Sequence, residues 1–304
     1  MRALSTIVLS GLLSIPAFTA ADTPQPAPQK AVLVTGASSG IGRKITERLA
    51  TAGYFVYATA RKDADLQALG KIQNVQAVRL DVTSAQDIVA AVDVITKAGR
   101  GLHGLVNNAG IGTGGPVMDS KQEEFDLAMN VNALGPVRMT RAFGPLIVAA
   151  KGRIVNISSV SGILAGKNTS AYAMSKHAVE AFTDSLATEM QDVGVSVSAV
   201  EPGNYNSQIV HNAAARMGIT SRLNERPSDI EPDAVAAAVE HALFATDPKR
   251  RYLVVPNEPQ AQRTIRKQIA QLVELNEGQV YTYDRATLIK MLDEALAGSR
   301  PRTP

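Results

Sequence analysis

The chain has 304 residues, 45% of them hydrophobic and 19% charged, with a formal net charge of +3 and no cysteine. That length holds one large α/β domain or two small ones around a buried core, and so slight a charge gives no argument for a nucleic-acid partner. The missing cysteine excludes disulfides, thiolate catalysis and Cys-based zinc sites, and the four histidines (His103, His177, His211, His241) lack metal-ligand spacing.

Arg2 precedes an uncharged apolar stretch, Ala3 to Ala21, interrupted by Pro16 and ended by Thr19, Ala20 and Ala21. A positive start, a short apolar middle and a small-residue finish match a secretory signal peptide, although no A-x-A triplet is present. Three readings stay open: a cleaved export signal, an uncleaved anchor attaching the chain to a membrane through residues 4–20, and a cytoplasmic N-terminal extension. Residues 22–29, with Pro24, Pro26 and Pro28, read as an extended Pro-rich linker.

From Lys30 onward, short β-branched runs alternate with helical stretches. Strands are expected at 31–34, 54–59, 75–80, 102–106, 153–157, 195–200 and 251–255. Helices are expected at 41–52, from Ser84 to about Ala98, from about Lys121 to Ala150 with a bend near Gly135-Pro136, and from Ser170 to Val193. The stretch from Gly203 to Asp229 has no strong period, and Gln260 to Leu296 is helical and more charged. Apolar strands alternating with helices predict a parallel sheet covered on both faces. No composition break divides 30–256, so the prediction is α/β: one doubly wound domain of about seven strands, with a helical C-terminal extension at 257–304.

The first strand runs into Thr35-Gly36-Ala37-Ser38-Ser39-Gly40-Ile41-Gly42, which opens the first helix. Glycines let a backbone approach a pyrophosphate, and a helix N-terminus offers free N–H groups and partial positive charge. Ser38 and Ser39 add hydroxyl donors. The second strand ends Ala58-Thr59-Ala60-Arg61-Lys62, with no acid before Asp63. An acid there would hold a ribose 2′-hydroxyl, whereas Arg61 suits a 2′-phosphate, which favours NADP(H) over NAD(H). Exported NADP(H) chemistry would be unusual, and that tension with the N-terminal segment stands.

Tyr172 and Lys176 are four residues apart on an expected helix and so share a face. A nearby ammonium stabilises a phenolate, which would let Tyr172 exchange a proton with an alcohol or carbonyl.

With these features in place the chain resembles the short-chain dehydrogenase/reductase (SDR) family from Ala31 to about Pro256. The resemblance rests on motifs in order: Thr35 to Gly42, Asp81 after the third strand, Asn107-Asn108-Ala109-Gly110 after the fourth, Ser159 thirteen positions before Tyr172, Lys176, and Pro202-Gly203 after the sixth. It implies a Rossmann-type fold and hydride transfer between NADP(H) and an alcohol or carbonyl compound. It further implies Tyr172 as acid/base, Lys176 lowering its pKa and binding the nicotinamide ribose, and Ser159 bonding the substrate oxygen. Asn132 would hold a proton-relay water, with Asn130 as the competing choice. Asp81 and Val82 would contact adenine. Asn108, Ala109 and Gly110 would steady the cofactor, joined by Gly36, Ser38, Ser39, Gly40, Ile41, Gly42 and Arg61. Pro202 and Gly203 would border the nicotinamide, and Ser207 stands where the family often has Thr.

Substrate selectivity is expected from 160–169, from 204–224 and from the C-terminal helices, with Val160, Ile163, Leu164 and Tyr205 making a partly apolar pocket. The Glu201-Pro202-Gly203-Asn204-Tyr205 neighbourhood is similar to relatives acting on steroid- or retinoid-like alcohols. The two long helices imply a homo-oligomer. Rival readings are a non-catalytic NADP(H) sensor, which would lack one of Tyr, Lys and Ser, and an epimerase or dehydratase, which usually carries a larger C-terminal domain.

Overall fold

The computed structural model describes residues 29–217 and 230–298. Among them, seven strands form one parallel sheet in the order β3-β2-β1-β4-β5-β6-β7. The first half alternates β1 (Ala31–Val34), α1 (Gly40–Thr51), β2 (Phe55–Ala60), α2 (Asp63–Leu69), β3 (Val75–Arg79), α3 (Ala85–Lys97) and β4 (Gly104–Asn107). The second half runs α4 (Gln122–Ala128), a π-helical turn (Met129–Ala133), α5 (Leu134–Ala149), β5 (Arg153–Ile157), a 3₁₀ turn (Val160–Gly162) and α6 (Ser170–Gln191). It continues through β6 (Ser196–Pro202), α7 (Gln208–Met217), α8 (Asp233–Phe244), β7 (Arg251–Val254), α9 (Glu258–Asn276) and α10 (Arg285–Gly298).

The strands are apolar throughout because both sheet faces are covered. Val32, Val34, Val56 and Ala58 pack into one core with α1 and α8; Ala31, Leu33, Tyr57 and Leu105 pack into the other with α3, α5 and α6. β1 pairs with β2 on one side and β4 on the other, so the chain reverses direction across the sheet at that point. In doubly wound sheets a ligand crevice opens there, at the carboxyl ends of the strands.

The strands fall within a residue or two of expectation. The helix expected over 121–150 breaks close to the expected bend at Gly135-Pro136. Pro136 has no N–H to give the carbonyl of Asn132 four residues earlier, and the chain widens into a π turn over Met129–Ala133 before α5 begins. α8 was missed, although Val235, Val239, Ala242 and Leu243 recur at helical spacing and are buried. α2 and α7 were also not anticipated. α9 and α10 bear out helical character after 257, but only Thr264 among their residues is buried. No helix among the described residues is long and apolar enough to cross a membrane; residues 1–21, where the export or anchor reading falls, lie outside the described residues.

Candidate active site

A cleft of about 480 Å³ opens at the carboxyl ends of β1, β2, β4, β5 and β6. This lies within the roughly 300–1,000 Å³ usual for small-molecule sites. Its floor is the glycine loop. Gly36 and Gly40 take positive φ, +64° and +52°, which other residues rarely adopt. A Cβ on Gly36 would stand 2.8 Å from Ala109 Cα, and one on Gly42 would stand 2.3 Å from Gly36 O. The loop is therefore folded tightly on itself and on the β4 loop.

Asn108 holds that junction. Its Nδ2 donates to Thr35 O at 2.9 Å and Gly36 O at 3.0 Å, while Thr35 Oγ1 accepts from the N–H groups of Asn108 and Ala109. Asn108 thus ties the glycine loop to the β4 loop. Ser39 is the N-cap of α1 but makes no side-chain cap bond, so its hydroxyl and the first-turn N–H groups stay uncommitted at the cleft.

At the outer end Arg61 lines the cleft and reaches Asp81 Oδ2 at 3.4 Å. Partial burial pushes the Asp81 carboxyl up, but Thr83's hydroxyl and N–H, with Arg61, hold it below its ordinary value. Arg79, not singled out from the sequence, donates to Arg61 O and pairs with Asp63. It orders the strand end that carries Arg61.

At the inner end Ser159, Tyr172 and Lys176 converge. Burial raises the Tyr172 phenol from its ordinary value, and the facing Ser159 hydroxyl pulls it part of the way back. Lys176 Nζ donates to Ile157 O at 2.9 Å and lies 5.7 Å from the Tyr172 ring centroid. Burial pulls its ammonium down to about 8, and Glu180 opposes that fall. The ammonium is turned to a carbonyl, burial dominates, and the only group lowering the phenol is Ser159.

A buried polar chain ties this end together. Asn107 Nδ2 donates to Asn156 Oδ1 at 2.8 Å, Asn156 Nδ2 to Thr183 Oγ1 at 2.9 Å, and Thr183 Oγ1 to Val179 O at 2.7 Å. It pins β4, β5 and α6 in one register.

All the expected site residues line the cleft except Asn132. Its side chain is buried and fully engaged: Oδ1 accepts from Ile111 N at 2.8 Å, and Nδ2 donates to Ile111 O at 2.9 Å and Ser175 Oγ at 3.0 Å. The side chain thus braces the π turn against the β4 loop and α6, while the Asn132 carbonyl receives no N–H from Pro136. Asn130, the competing choice, lines the cleft, but its side chain accepts from Arg138. Val160, Ile163 and Leu164 do not line it, because the 3₁₀ turn folds them aside. Tyr205 does, together with Ile111, Ile209 and Asn212, which the sequence did not single out. Part of the expected selectivity loop, 218–224, lies outside the described residues.

The comparisons with known proteins agree with this architecture. A family model described as short chain dehydrogenase matches residues 30–218. The mitochondrial D-beta-hydroxybutyrate dehydrogenase of Bos taurus is 36% identical over 270 residues, covering 75% of this chain and 77% of its own. Retinol dehydrogenase 5 of Mus musculus is 34% identical over 259 residues, covering 75% of this chain and 81% of its own. Among solved structures, the closed form of serine dehydrogenase complexed with NADP+ superposes with a TM-score of 0.68 at 28% identity, over 74% of this chain and 94% of that one. The chain belongs to the short-chain dehydrogenase/reductase family.

The cleft fits the dinucleotide such enzymes use. It presents uncommitted helix N-terminal donors, a floor that side chains would block, a cation at one end and a buried ammonium at the other.

Proposed function

We propose that the protein transfers hydride between NADP(H) and a secondary alcohol or ketone, or an aldehyde, with Tyr172 as the proton donor and acceptor. The observation that carries this reading is the convergence of Ser159, Tyr172 and Lys176 at the inner end of a cleft floored by the glycine loop. NADP(H) supplies the hydride when bound. Arg61 would hold its 2′-phosphate, the first turn of α1 its pyrophosphate, and Lys176 its nicotinamide ribose.

The chain's own residues handle the proton. A phenol held above its ordinary value is protonated at neutral pH, as a donor to a carbonyl oxygen must be. Ser159 supplies a second hydroxyl to orient and polarise that oxygen. The ammonium 5.7 Å from the ring opposes the negative charge that proton donation leaves on the phenol oxygen. Tyr172→Phe removes only that hydroxyl. NADPH absorbance followed against a carbonyl library should show turnover reduced by roughly 10²–10⁴-fold, and unchanged turnover would overturn the assignment.

The substrate we favour has an apolar body, supported by Ile111 and Ile209 in the cleft wall and by the likeness to a retinol dehydrogenase. A panel in which only small polar ketones react would exclude it. We read 30–256 as the catalytic unit and residues 1–21 as a signal peptide or anchor. N-terminal sequencing of protein recovered from soluble and membrane fractions distinguishes cleavage from anchoring. Assembly as a homo-oligomer is supported by the exposed Leu134 and Met174 on α5 and α6, and a monomeric mass by light scattering would end that reading.

A further inference from the structure

Three consecutive residues at the end of β5 meet three residues spaced one turn apart on α6. Ser159 faces Tyr172, the Ile157 carbonyl accepts from Lys176, and the Ser158 hydroxyl faces the Glu180 carboxylate. The first two contacts belong to the site described above; the third lies directly behind it. Glu180 is 8% exposed. Gly162, in the 3₁₀ turn, closes over this pair so tightly that a Cβ would stand 2.7 Å from Ser158 Oγ and 2.9 Å from Glu180 Cγ. From the far side Arg251, at the start of β7, reaches Glu180 Oε2 at 3.1 Å, Asp184 Oδ2 at 2.8 Å and Glu201 Oε1 at 3.6 Å.

A carboxylate this deeply buried is costly unless a charge or a hydroxyl compensates it. Here the opposite charge comes from Arg251 on the solvent side and Lys176 on the cleft side, while Ser158 Oγ lies beside the carboxylate without a formed hydrogen bond. We propose that Glu180 is a positioning residue: its carboxylate, buried one helical turn beyond Lys176, enclosed by Gly162 and held from behind by Arg251, is the negative charge that faces the Lys176 amine. This rests on the functional reading of Tyr172 and Lys176 given above.

Among the described residues, the charge that acts on Lys176 is Glu180. The charges around Glu180 are Lys176 and Asp184 on α6 and Arg251 on β7, with Glu201 on β6 joined to it through their mutual repulsion. Burial raises both Glu180 and Glu201, the latter to about 7, where the negative charge of Glu180 adds to the rise. Arg251 stands closer to Glu180 than to Glu201. Arg251 therefore favours the negative charge on Glu180 more than that on Glu201.

The sign follows directly. Burial brings Lys176 down to about 8 and Glu180 pushes it back up. Removing the Glu180 charge lets Lys176 lose its proton at lower pH. Two readouts test this. The first is the titration of Lys176 itself in the free protein, by NMR of ¹³C-methylated lysines. The second is the alkaline limb of kcat/KM for NADPH-driven carbonyl reduction.

In Glu180→Gln both should move down by roughly one pH unit, while Glu201→Gln should move neither downward. Glu180→Met removes the same charge with an apolar stem of similar volume and should shift both in the same direction; it serves if the amide variant does not fold. A Lys176 titration that stays in place in the Glu180 variants overturns the proposal, as does an equal downward shift in Glu201→Gln. If Tyr172→Phe keeps full turnover while the Lys176 titration still falls in Glu180→Gln, the functional reading fails and the electrostatic inference stands.

Discussion

Lys176 and Ser159, at the inner end of the cleft, are 4% and 8% exposed, whereas the Arg61 side chain at the outer end is 68% exposed and that of Asp81 28%. The two ends therefore obey different electrostatics. At the inner end desolvation sets each protonation state: it lifts Tyr172 and Glu180 and lowers Lys176, and neighbouring groups only trim the result. At the outer end partial burial also pushes Asp81 up, but there the Thr83 hydroxyl and N–H and the Arg61 guanidinium that touch it together outweigh burial and lower it. An inner substitution should change chemistry and stability together. An outer one should change ligand preference and leave the fold alone.

The boundary between the ends offers the severest test. Gly42→Ala places a Cβ 2.3 Å from a backbone carbonyl and 2.4 Å from Asn108 Nδ2, and backbone cannot move aside cheaply. Overpacking of this kind costs about 1–3 kcal/mol. The thermal midpoint should fall and NADPH binding, followed by fluorescence titration, should be largely lost. A variant that binds NADPH normally would show that the loop is looser than its contacts imply.

At the inner end, Asn156→Leu removes the middle of the Asn107–Asn156–Thr183 chain and takes one hydrogen bond from each of two buried partners. Denaturant unfolding should report a loss of about 1–3 kcal/mol. kcat should fall as well, because the same chain seats α6 on the sheet. A loss of stability with no change in kcat would separate that register from the chemistry.

The smallest effect belongs to the rim. Arg61→Ala should weaken NADPH by about tenfold, roughly 1.4 kcal/mol, leave NADH unaffected, and leave the melting temperature in place. The loss should diminish as salt is added. Equal weakening of NADPH and NADH would move the 2′-phosphate contact away from Arg61.

Much of the cleft was legible because its chemistry sits in local motifs. The glycine loop needs Gly36, Gly40 and Gly42 at fixed spacing to turn from β1 into α1, and the Tyr172–Lys176 pair needs only one helical turn. Groups acting across the fold were not legible. Asn132 matches its motif, yet its side chain is spent on Ile111, far away in sequence. Glu180 follows Lys176 by the same one-turn spacing, a signal that was available. Its role, however, depends on Ser158, Gly162 and Arg251, which only the folded chain brings to it. The break in the long helix was legible at Gly135-Pro136, since Pro136 has no N–H for the Asn132 carbonyl; that it takes the form of a π turn was not.

The sequence alone determined the alternation of buried strands and helices, the parallel sheet that follows from it, and the positions of the anion loop and of the phenol–amine pair. These are matters of periodicity and short spacing, carried by neighbours along the chain. Tertiary structure decided which carbonyl the lysine faces, that burial lifts the phenol, and which acid lies behind the amine. Those outcomes depend on desolvation and on contacts between distant strands, and neither quantity exists until the sheet is assembled.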